Sequence, residues 1–450
     1  MMEALALTLA QSPRLAPLVK LAAALIPPVG KLNKYRNTAT IATDIIARRT
    51  ICKGHPVTIR LATASVCNYR CLFCEIHKDN ILFPDRKHNL ISLDNVRNYE
   101  GFLSTAGRVC FYGGSAEPLL NKDFGNIVVF LKKKFGNELM VNTNGSCLTE
   151  KLSALLIQYG FDYILLSYHA GTTETYRHLM TGDISRVDKQ MVYLAEQKAK
   201  LERKKPIVDL NFALQKLNAG EAKAILDKAL LFKAKTVHIN RYYGGRNKLQ
   251  DRHVSFEFDV ETGNHALDEL YRYARGKTVT LLPEKPPYWE AKSTVTPWNP
   301  ENVNTTIRCY APWLSLQMDP VLDEGDCHYA SVCNRITLFK VRYQEAKFRT
   351  SAEFKKLWNH PVLQYLRETV NTNTPNPMCK YCKNYDRELV RNVDSSQYAS
   401  IRDQAVVDFF KECQKRGPYP GIPGVEVLNS NPLSEARFQD KLAESGLLNT

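Results

Sequence analysis

Short apolar runs alternate with helical segments over residues 55 to 245, and this alternation constrains the fold more than any other feature. Segments typical of helices lie between the runs, for example Phe124–Phe135 and Glu150–Tyr159. Strands that alternate with helices pair in parallel as βαβ units, so the pattern predicts an α/β fold, a partial (β/α)6 barrel. In such barrels the chemistry gathers at the carboxyl ends of the strands. The apolar runs are Val57–Ala64, Arg108–Tyr112, Leu139–Asn142, Tyr163–Tyr168, Val208–Leu214 and Thr236–Asn240.

Three cysteines follow the first predicted strand. Cys67, Cys71 and Cys74 have the spacing C-x3-C-x2-C, with the aromatic Phe73 before the last cysteine. Three thiolates this close can bind three irons of one cubane cluster and leave the fourth iron without a protein ligand. A zinc site or buried free thiols are the alternatives, but zinc sites favour CxxC pairs and four protein ligands.

This cysteine spacing resembles the signature of the radical S-adenosylmethionine (SAM) superfamily. The resemblance implies that Cys67, Cys71 and Cys74 hold a [4Fe–4S] cluster whose open iron chelates the amino and carboxylate groups of SAM. It also implies an external one-electron reductant, such as flavodoxin or ferredoxin, and cleavage of SAM to a 5′-deoxyadenosyl radical that abstracts hydrogen from a substrate. The sequence does not indicate which side chains are catalytic.

The segment after the second predicted strand looks like the family's Gly-Gly-Glu-Pro segment, which binds the SAM amino group. Gly113, Gly114 and Glu117 match it, although two residues separate the second glycine from the glutamate. Glycines let a backbone approach a ligand closely. The resemblance therefore implies that these three residues contact SAM.

Polar residues also follow the later strands. Asn144 and Ser167 end the third and fourth strands, at positions where family members contact the methionyl or ribose groups of SAM. Gln215, Asn240 and Arg241 come after the fifth and sixth strands and are candidates for lining the active site.

A second group of cysteines lies near the C-terminus. Cys309 and Cys327 flank a predicted hairpin, and Cys379 and Cys382 form a CxxC turn. A hairpin and such a turn can supply four thiolates, which would close the coordination shell. On the residues alone, a structural zinc ribbon and an iron–sulfur cluster fit equally well.

The stretch from Cys309 to Cys382 looks like the auxiliary-cluster domain called SPASM, or its shorter form, twitch. The resemblance implies one auxiliary [4Fe–4S] cluster ligated by Cys309, Cys327, Cys379 and Cys382, with Cys333 as a spare ligand. The other four cysteines, Cys52, Cys110, Cys147 and Cys413, are interpreted as structural, and Cys110 and Cys147 are expected to be buried beside their strands.

These patterns divide the chain into five parts. We expect a helical extension over residues 1–50, the barrel over 51–245 and a bridging segment over 246–304. The cysteine-ligated auxiliary domain follows over 305–390, and a helix with an irregular tail completes the chain over 391–450.

Composition limits the partners and the compartment. The 450 residues carry a formal net charge of +15, but the basic runs are short and give no strong nucleic-acid signal. The N-terminus lacks the basic region of a signal peptide, and polar and proline residues interrupt the apolar stretch over residues 5–26. The sequence therefore predicts no transmembrane segment and a cytoplasmic location, where clustered cysteines usually bind metal.

The predicted function is a radical SAM oxidoreductase that abstracts hydrogen from a peptide or a small metabolite, with an auxiliary cluster for electron transfer. A radical methyl or adenosyl transferase is an alternative. A non-catalytic metal-binding protein that contacts partners is another, but the open three-cysteine site argues against it.

Overall fold

The computed structural model describes 32–74, 90–112, 116–241, 260–288, 309–319, 327–332, 339–342, 348–372, 374–380, 408–409, 411–413, 415–416 and 425–427. Several predicted features lie outside these residues. They are the first predicted helix, Leu15–Ile26, together with Gly113, Gly114, Cys333 and Cys382.

An eleven-stranded sheet with the order β11-β10-β9-β8-β1-β2-β3-β4-β5-β6-β7 forms the centre of the fold. Neighbouring strands from β1 to β7 are all parallel. In the described part of the chain, β7 and β11 are the two ends of the sheet and do not pair, as a partial barrel requires. The strands are β1 Thr58–Leu61, β2 Arg108–Phe111, β3 Glu138–Thr143, β4 Tyr163–Ser167, β5 Ile207–Leu214, β6 Thr236–Arg241, β7 Thr280–Leu282, β8 Ser315–Asp319, β9 Cys327–Ser331, β10 Phe339–Arg342 and β11 Val425–Val427.

The six strands predicted from the apolar runs are β1 to β6, so the predicted α/β class and parallel pairing are confirmed. The sheet also continues beyond them. β7 comes from the segment predicted to be a bridge, and β8, from the segment after it, pairs in parallel with β1. β7 has only three residues and was not predicted, whereas β8 lies in the predicted hairpin between Cys309 and Cys327, whose pairing with β1 the sequence did not indicate.

Helices cross between successive parallel strands, as βαβ units require. No helix in the described ranges is both long and apolar enough to span a membrane. The α-helices are α1 Leu32–Ile46, α2 Leu93–Arg97, α3 Glu100–Leu103, α4 Phe124–Lys134, α5 Glu150–Gln158, α6 Thr173–Met180, α7 Ile184–Lys200, α8 Ala222–Leu231, α9 Val260–Ala274, α10 Ala311–Leu314, α11 Ser351–Trp358, α12 Pro361–Thr369 and α13 Pro377–Lys380.

The two faces of the sheet differ in character. On β5, Leu210 and Phe212 are buried in the main hydrophobic core, whereas Asp209 and Asn211, which alternate with them, are only partly buried. Because successive strand residues point to opposite faces, one face packs in the core and the other is polar. We call the polar side the open face; its polar residues on β3 to β6 are Asn142, Ser167, Asp209, Asn211, His238 and Asn240.

Candidate metal centre

The three clustered cysteines lie on a loop, residues 67–74, that follows β1 at its carboxyl end. The far end of this cysteine loop is tied to the end of α6. The backbone N–H of Leu72 donates to the carbonyl of Leu179 at 2.9 Å, and that of Arg70 donates to Oγ1 of Thr181 at 2.7 Å. The loop is therefore held by the helix that follows β4.

Cys67, Cys71 and Cys74 are in partly buried positions. Burial raises the pKa of Cys67 to about 12, and negative charge on Glu117 and Cys74 adds to the effect. Burial also raises the pKa of Cys71, with further contributions from charge on Cys74 and Cys67. The three thiols are on one short loop, and thiolates are the usual ligands of iron–sulfur clusters. The donor types therefore fit such a cluster, although no group of three or more His, Cys, Asp or Glu side chains in the described part of the chain is placed to hold a single metal ion.

Glu117 lies beside the start of the cysteine loop. Its backbone N–H donates to the carbonyl of Val66 at 2.8 Å, next to Cys67. Its carboxylate accepts from Oγ1 of Thr143 at 2.6 Å and from the backbone N–H of Asn144 at 2.7 Å. The side chain is 2% exposed. Burial raises the pKa of Glu117 to about 7, and these donors oppose the rise. Glu117 thus joins the ends of β2 and β3 to the cysteine loop.

Asn144 also lies against the loop, since its Nδ2 is 3.9 Å from the sulfur of Cys67 and 3.1 Å from Oδ1 of Asn68. Ser167 is one strand further along, on the open face, where its hydroxyl donates to Oδ1 of Asn142 at 3.2 Å. Three of the residues predicted to contact SAM are in the described part of the chain. Glu117 and Asn144 lie next to Cys67, and Ser167 is on β4, the strand beside β3.

The residues predicted after β5 and β6 have different surroundings. Gln215 is fully buried, and among the described residues neither atom of its side-chain amide has a hydrogen-bond partner. Asn240 is exposed and donates to Oδ1 of Asn211 on the open face. Arg241 is the last residue of β6. A buried amide without a partner is costly, so Gln215 is suited to meet a polar group of a bound molecule.

His169, just beyond β4, packs against the loop. Its ring lies edge-on to Phe73 with centroids 5.0 Å apart, and its Nδ1 accepts from the backbone N–H of Ala213 at 3.0 Å. Burial lowers the pKa of His169 to about 3, so the ring is neutral. The neutral ring connects the loop with the end of β5.

Two polar residues beside Cys67 were not singled out from the sequence. Asn68 donates to Oγ of Ser146 at 2.8 Å, and Ser146 donates in turn to Oδ1 of Asn144 at 2.6 Å. An asparagine between two cysteines and a serine after an Asn-Gly turn resemble ordinary loop residues. For Asn68 the one available signal was its position in the C-x3-C spacing, and for Ser146 it was the position directly after the Asn144-Gly145 turn.

Two asparagines contact cysteines of the second group in the described residues. The backbone of Cys309 donates to Oδ1 of Asn371 at 2.7 Å, and Nδ2 of Asn371 donates to the carbonyl of Cys309 at 2.8 Å. Nδ2 of Asn376 lies 3.3 Å from the sulfur of Cys379. Cys327 is the first residue of β9, and Cys382 lies outside the described residues.

A buried arginine fixes this region to the N-terminal part of the chain. Arg367 is 2% exposed and donates to the carbonyls of Thr50, Pro312 and Trp358. Its guanidinium also stacks over the Trp358 ring at 4.5 Å. A guanidinium can satisfy several carbonyls at once because its donors form a rigid fork.

Comparison with known proteins gives a match to the cysteine-loop region. The family profile described as Radical SAM superfamily matches residues 61–229. A "Probable GTP 3',8-cyclase" from Methanothermobacter marburgensis is 29% identical over 28% of this chain and 40% of its own length. Another from Metallosphaera sedula is 30% identical over 39% of this chain and 52% of its own length. The chain thus spans about half the length, or less, of these curated relatives.

A solved structure, Streptococcus suis SuiB bound to S-adenosylmethionine, superimposes with a TM-score of 0.44 and 14% identity, over 69% of each chain. The family match includes Cys67, Cys71 and Cys74, Glu117, Asn144 and Ser167. Members of the family use a [4Fe–4S] cluster and SAM. Residues 61–229 are therefore similar to the radical SAM superfamily over the part of the chain that carries the cysteine loop.

Proposed function

We propose that the chain is a radical SAM oxidoreductase whose cluster is held by Cys67, Cys71 and Cys74. The observation that carries the proposal is the placement of these thiols on one loop at the carboxyl end of a parallel sheet. Glu117 and Asn144, from the next two strands, lie directly beside that loop. Active sites on such sheets form where the ends of several strands share one pocket.

When bound, the cluster supplies one electron to SAM, which is cleaved to a 5′-deoxyadenosyl radical. The protein's own residues position and protect these groups. Three cysteines leave one iron open for SAM. Gly113, Gly114 and Glu117 form the segment for its amino group, and Asn144 and Ser167 complete the SAM site. An external flavodoxin or ferredoxin would deliver the electron.

We also propose that Cys309, Cys327, Cys379 and Cys382 ligate an auxiliary [4Fe–4S] cluster. Support comes from the side chains around Cys309 and Cys379, because Asn371 fixes the backbone of the first and Asn376 reaches the sulfur of the second. A fully ligated cluster can accept the electron that an oxidation of the substrate radical releases.

The open face favours a polar substrate. It carries amides, a hydroxyl and the Asp209–His238 pair, whose nearest side-chain atoms are 3.7 Å apart. Oδ1 of Asp209 is buried and accepts no hydrogen bond from the part of the chain that the structure describes, so a substrate hydroxyl or amine could donate to it. A peptide with polar side chains and a polar metabolite both fit this chemistry, and GTP is a first compound to test because of the relatives' name.

The test is reductive SAM cleavage by anaerobically purified, iron-reconstituted protein, measured as 5′-deoxyadenosine. The wild type should produce it with dithionite, and the variant with Cys67, Cys71 and Cys74 all changed to Ala should not. Full cleavage by the triple variant would defeat the proposal. With an added substrate, deuterium transfer into 5′-deoxyadenosine would support hydrogen abstraction, and SAM-derived carbon in the product would indicate group transfer.

A further inference from the structure

Three polar side chains close a hydrogen-bonded ring beside Cys67. Nδ2 of Asn144 donates to Oδ1 of Asn68 at 3.1 Å, Nδ2 of Asn68 donates to Oγ of Ser146 at 2.8 Å, and that hydroxyl donates to Oδ1 of Asn144 at 2.6 Å. Each member is a donor to one neighbour and an acceptor from the other. The backbone N–H of Ser146 also donates to Oδ1 of Asn144 at 2.9 Å, and this bond fixes the direction of the ring and the orientation of both amides.

The ring is anchored to the barrel and not only to the loop. The side chains of Asn144 and Ser146 are buried, at 6% and 2% exposure. The backbone N–H of Asn144 donates to the Glu117 carboxylate, and Nε2 of Gln190 on α7 donates to the carbonyl of Ser146 at 3.2 Å. Asn68 is the member that belongs to the cysteine loop, so the ring attaches this loop to the rigid end of β3.

The ring holds the end of the loop that α6 does not reach. The contacts with Leu179 and Thr181 fix the loop at Arg70 and Leu72. Cys67 is on the other side, and its sulfur accepts from the backbone N–H of Tyr69 at 3.4 Å. Nδ2 of Asn144, whose second hydrogen is not used by Asn68, lies 3.9 Å from the same sulfur.

We infer that Asn144 is a positioning residue for the SAM cluster, acting through Asn68 and the sulfur of Cys67. This inference rests on the proposed function, because it requires a cluster on Cys67. The Asn144 amide accepts from Ser146 through Oδ1 and donates to Asn68 through Nδ2, so the second hydrogen of Nδ2 is the one that can reach the sulfur of Cys67. Donors near a ligating sulfur favour the more negative, reduced cluster and raise its reduction potential.

The deciding measurement is the reduction potential of the SAM cluster without SAM, by electron paramagnetic resonance during a redox titration. In the Asn144→Ala variant, the ratio of reduced to oxidised cluster at the wild-type midpoint should fall at least threefold, which is about 30 mV at 59 mV per tenfold. Ser146→Ala breaks the ring at hydrogen bonds that do not involve Cys67. The ratio should therefore also fall in this variant, but by less than in Asn144→Ala. Asn126→Ala, at an exposed asparagine on α4, should leave the ratio unchanged.

A direct SAM contact would behave differently. If Asn144→Ala keeps the wild-type potential and only weakens SAM binding, measured by the spectral change on adding SAM, the inference is overturned. If Asn144→Ala does not retain a cluster, Ser146→Ala decides, and an unshifted potential in it overturns the inference. A wild-type protein without a [4Fe–4S] signal would instead defeat the proposed function itself.

Discussion

The side chain of Asn371 forms hydrogen bonds with both backbone groups of Cys309, at 2.7 and 2.8 Å. Asn371 itself has a φ of 64°, in the left-handed region that asparagine and glycine tolerate. Asn371 follows α12. Asn376 is five residues further along the chain, and its Nδ2 lies 3.3 Å from the sulfur of Cys379. One short segment thus sets the positions of two of the proposed auxiliary ligands.

Replacing Asn371 with Gly should weaken the auxiliary site without straining the backbone, because glycine accepts the positive φ. Two lost hydrogen bonds should lower the free energy of unfolding by about 2 kcal/mol. Iron content should fall from about eight towards about four per chain, since one of two cubanes is lost. SAM cleavage should persist. Unchanged iron content in this variant would show that Asn371 does not support the site.

Arg367 offers a test of what holds the C-terminal segment in place. Arg367→Met keeps the apolar stem but leaves the carbonyls of Thr50, Pro312 and Trp358 without their donor. Unsatisfied buried groups of this kind cost about 3–5 kcal/mol in total, so urea unfolding should show a drop of that order. Arg349→Met is the matched control, because Arg349 is exposed and its guanidinium donates to the side chain of Asn98 and not to buried carbonyls. That variant should change stability by less than about 0.5 kcal/mol.

Acid should destabilise the protein through its buried neutral histidines. Burial lowers the pKa of His169 to about 3 and the pKa values of His55 and His360 to about 4. The unfolded chain binds protons near pH 6.5 and the folded chain does not, so the stability is present above pH 6.5 and is lost as pH falls towards those values. For one such histidine the loss between pH 7.5 and pH 5 is about 2 kcal/mol.

His169→Asn separates this residue from the others. The asparagine can still accept from the backbone N–H of Ala213 but does not titrate. Urea unfolding at pH 7.5 and pH 5 should show a smaller loss of stability for the variant than for the wild type, by about 2 kcal/mol. Equal losses in the two proteins would mean that His169 is protonated in the folded state or in contact with solvent.

The sequence predicted the parallel part of the fold well because its signals are local. The apolar runs that became β1 to β6 have a clear period and lie between helices with good caps, such as Thr149, whose hydroxyl accepts from the backbone N–H of Leu152. By contrast, β8 is a short strand whose parallel partner β1 is more than 250 residues earlier. Pairing at such a distance has no signature in local pattern.

The residues of the candidate site that could be predicted are those whose spacing or order along the sequence is characteristic. The cysteine loop was found from three residues, and Glu117 and Asn144 from their order after strands. The ring through Asn68 and Ser146 was not, because its members are common turn residues and acquire their role only when β3 and the cysteine loop meet. The same holds for Arg367, whose partners come from three separate parts of the chain.

The nature of the second metal site gives the last prediction. Replacing Cys379 and Cys382 with Ala should leave SAM cleavage largely intact but stall product formation, because the electron from the substrate radical would lose its acceptor. If the site instead held a structural zinc, metal binding would stabilise the fold. Losing the metal would then mainly lower the stability and solubility of the protein, and would not specifically stall product formation. The matched control is Cys413→Ala, at a buried cysteine outside the proposed ligand set.

Metal analysis of anaerobically purified protein, combined with electron paramagnetic resonance, separates the two cases before any substrate is known. About eight irons per chain in the wild type, falling to about four in the double variant, is the result expected for two cubanes. About four irons with one zinc in the wild type would show that the second site is a zinc ribbon. The auxiliary cluster would then be excluded, while the cluster on Cys67, Cys71 and Cys74 would be unaffected, because its thiols lie on a different loop at the end of β1.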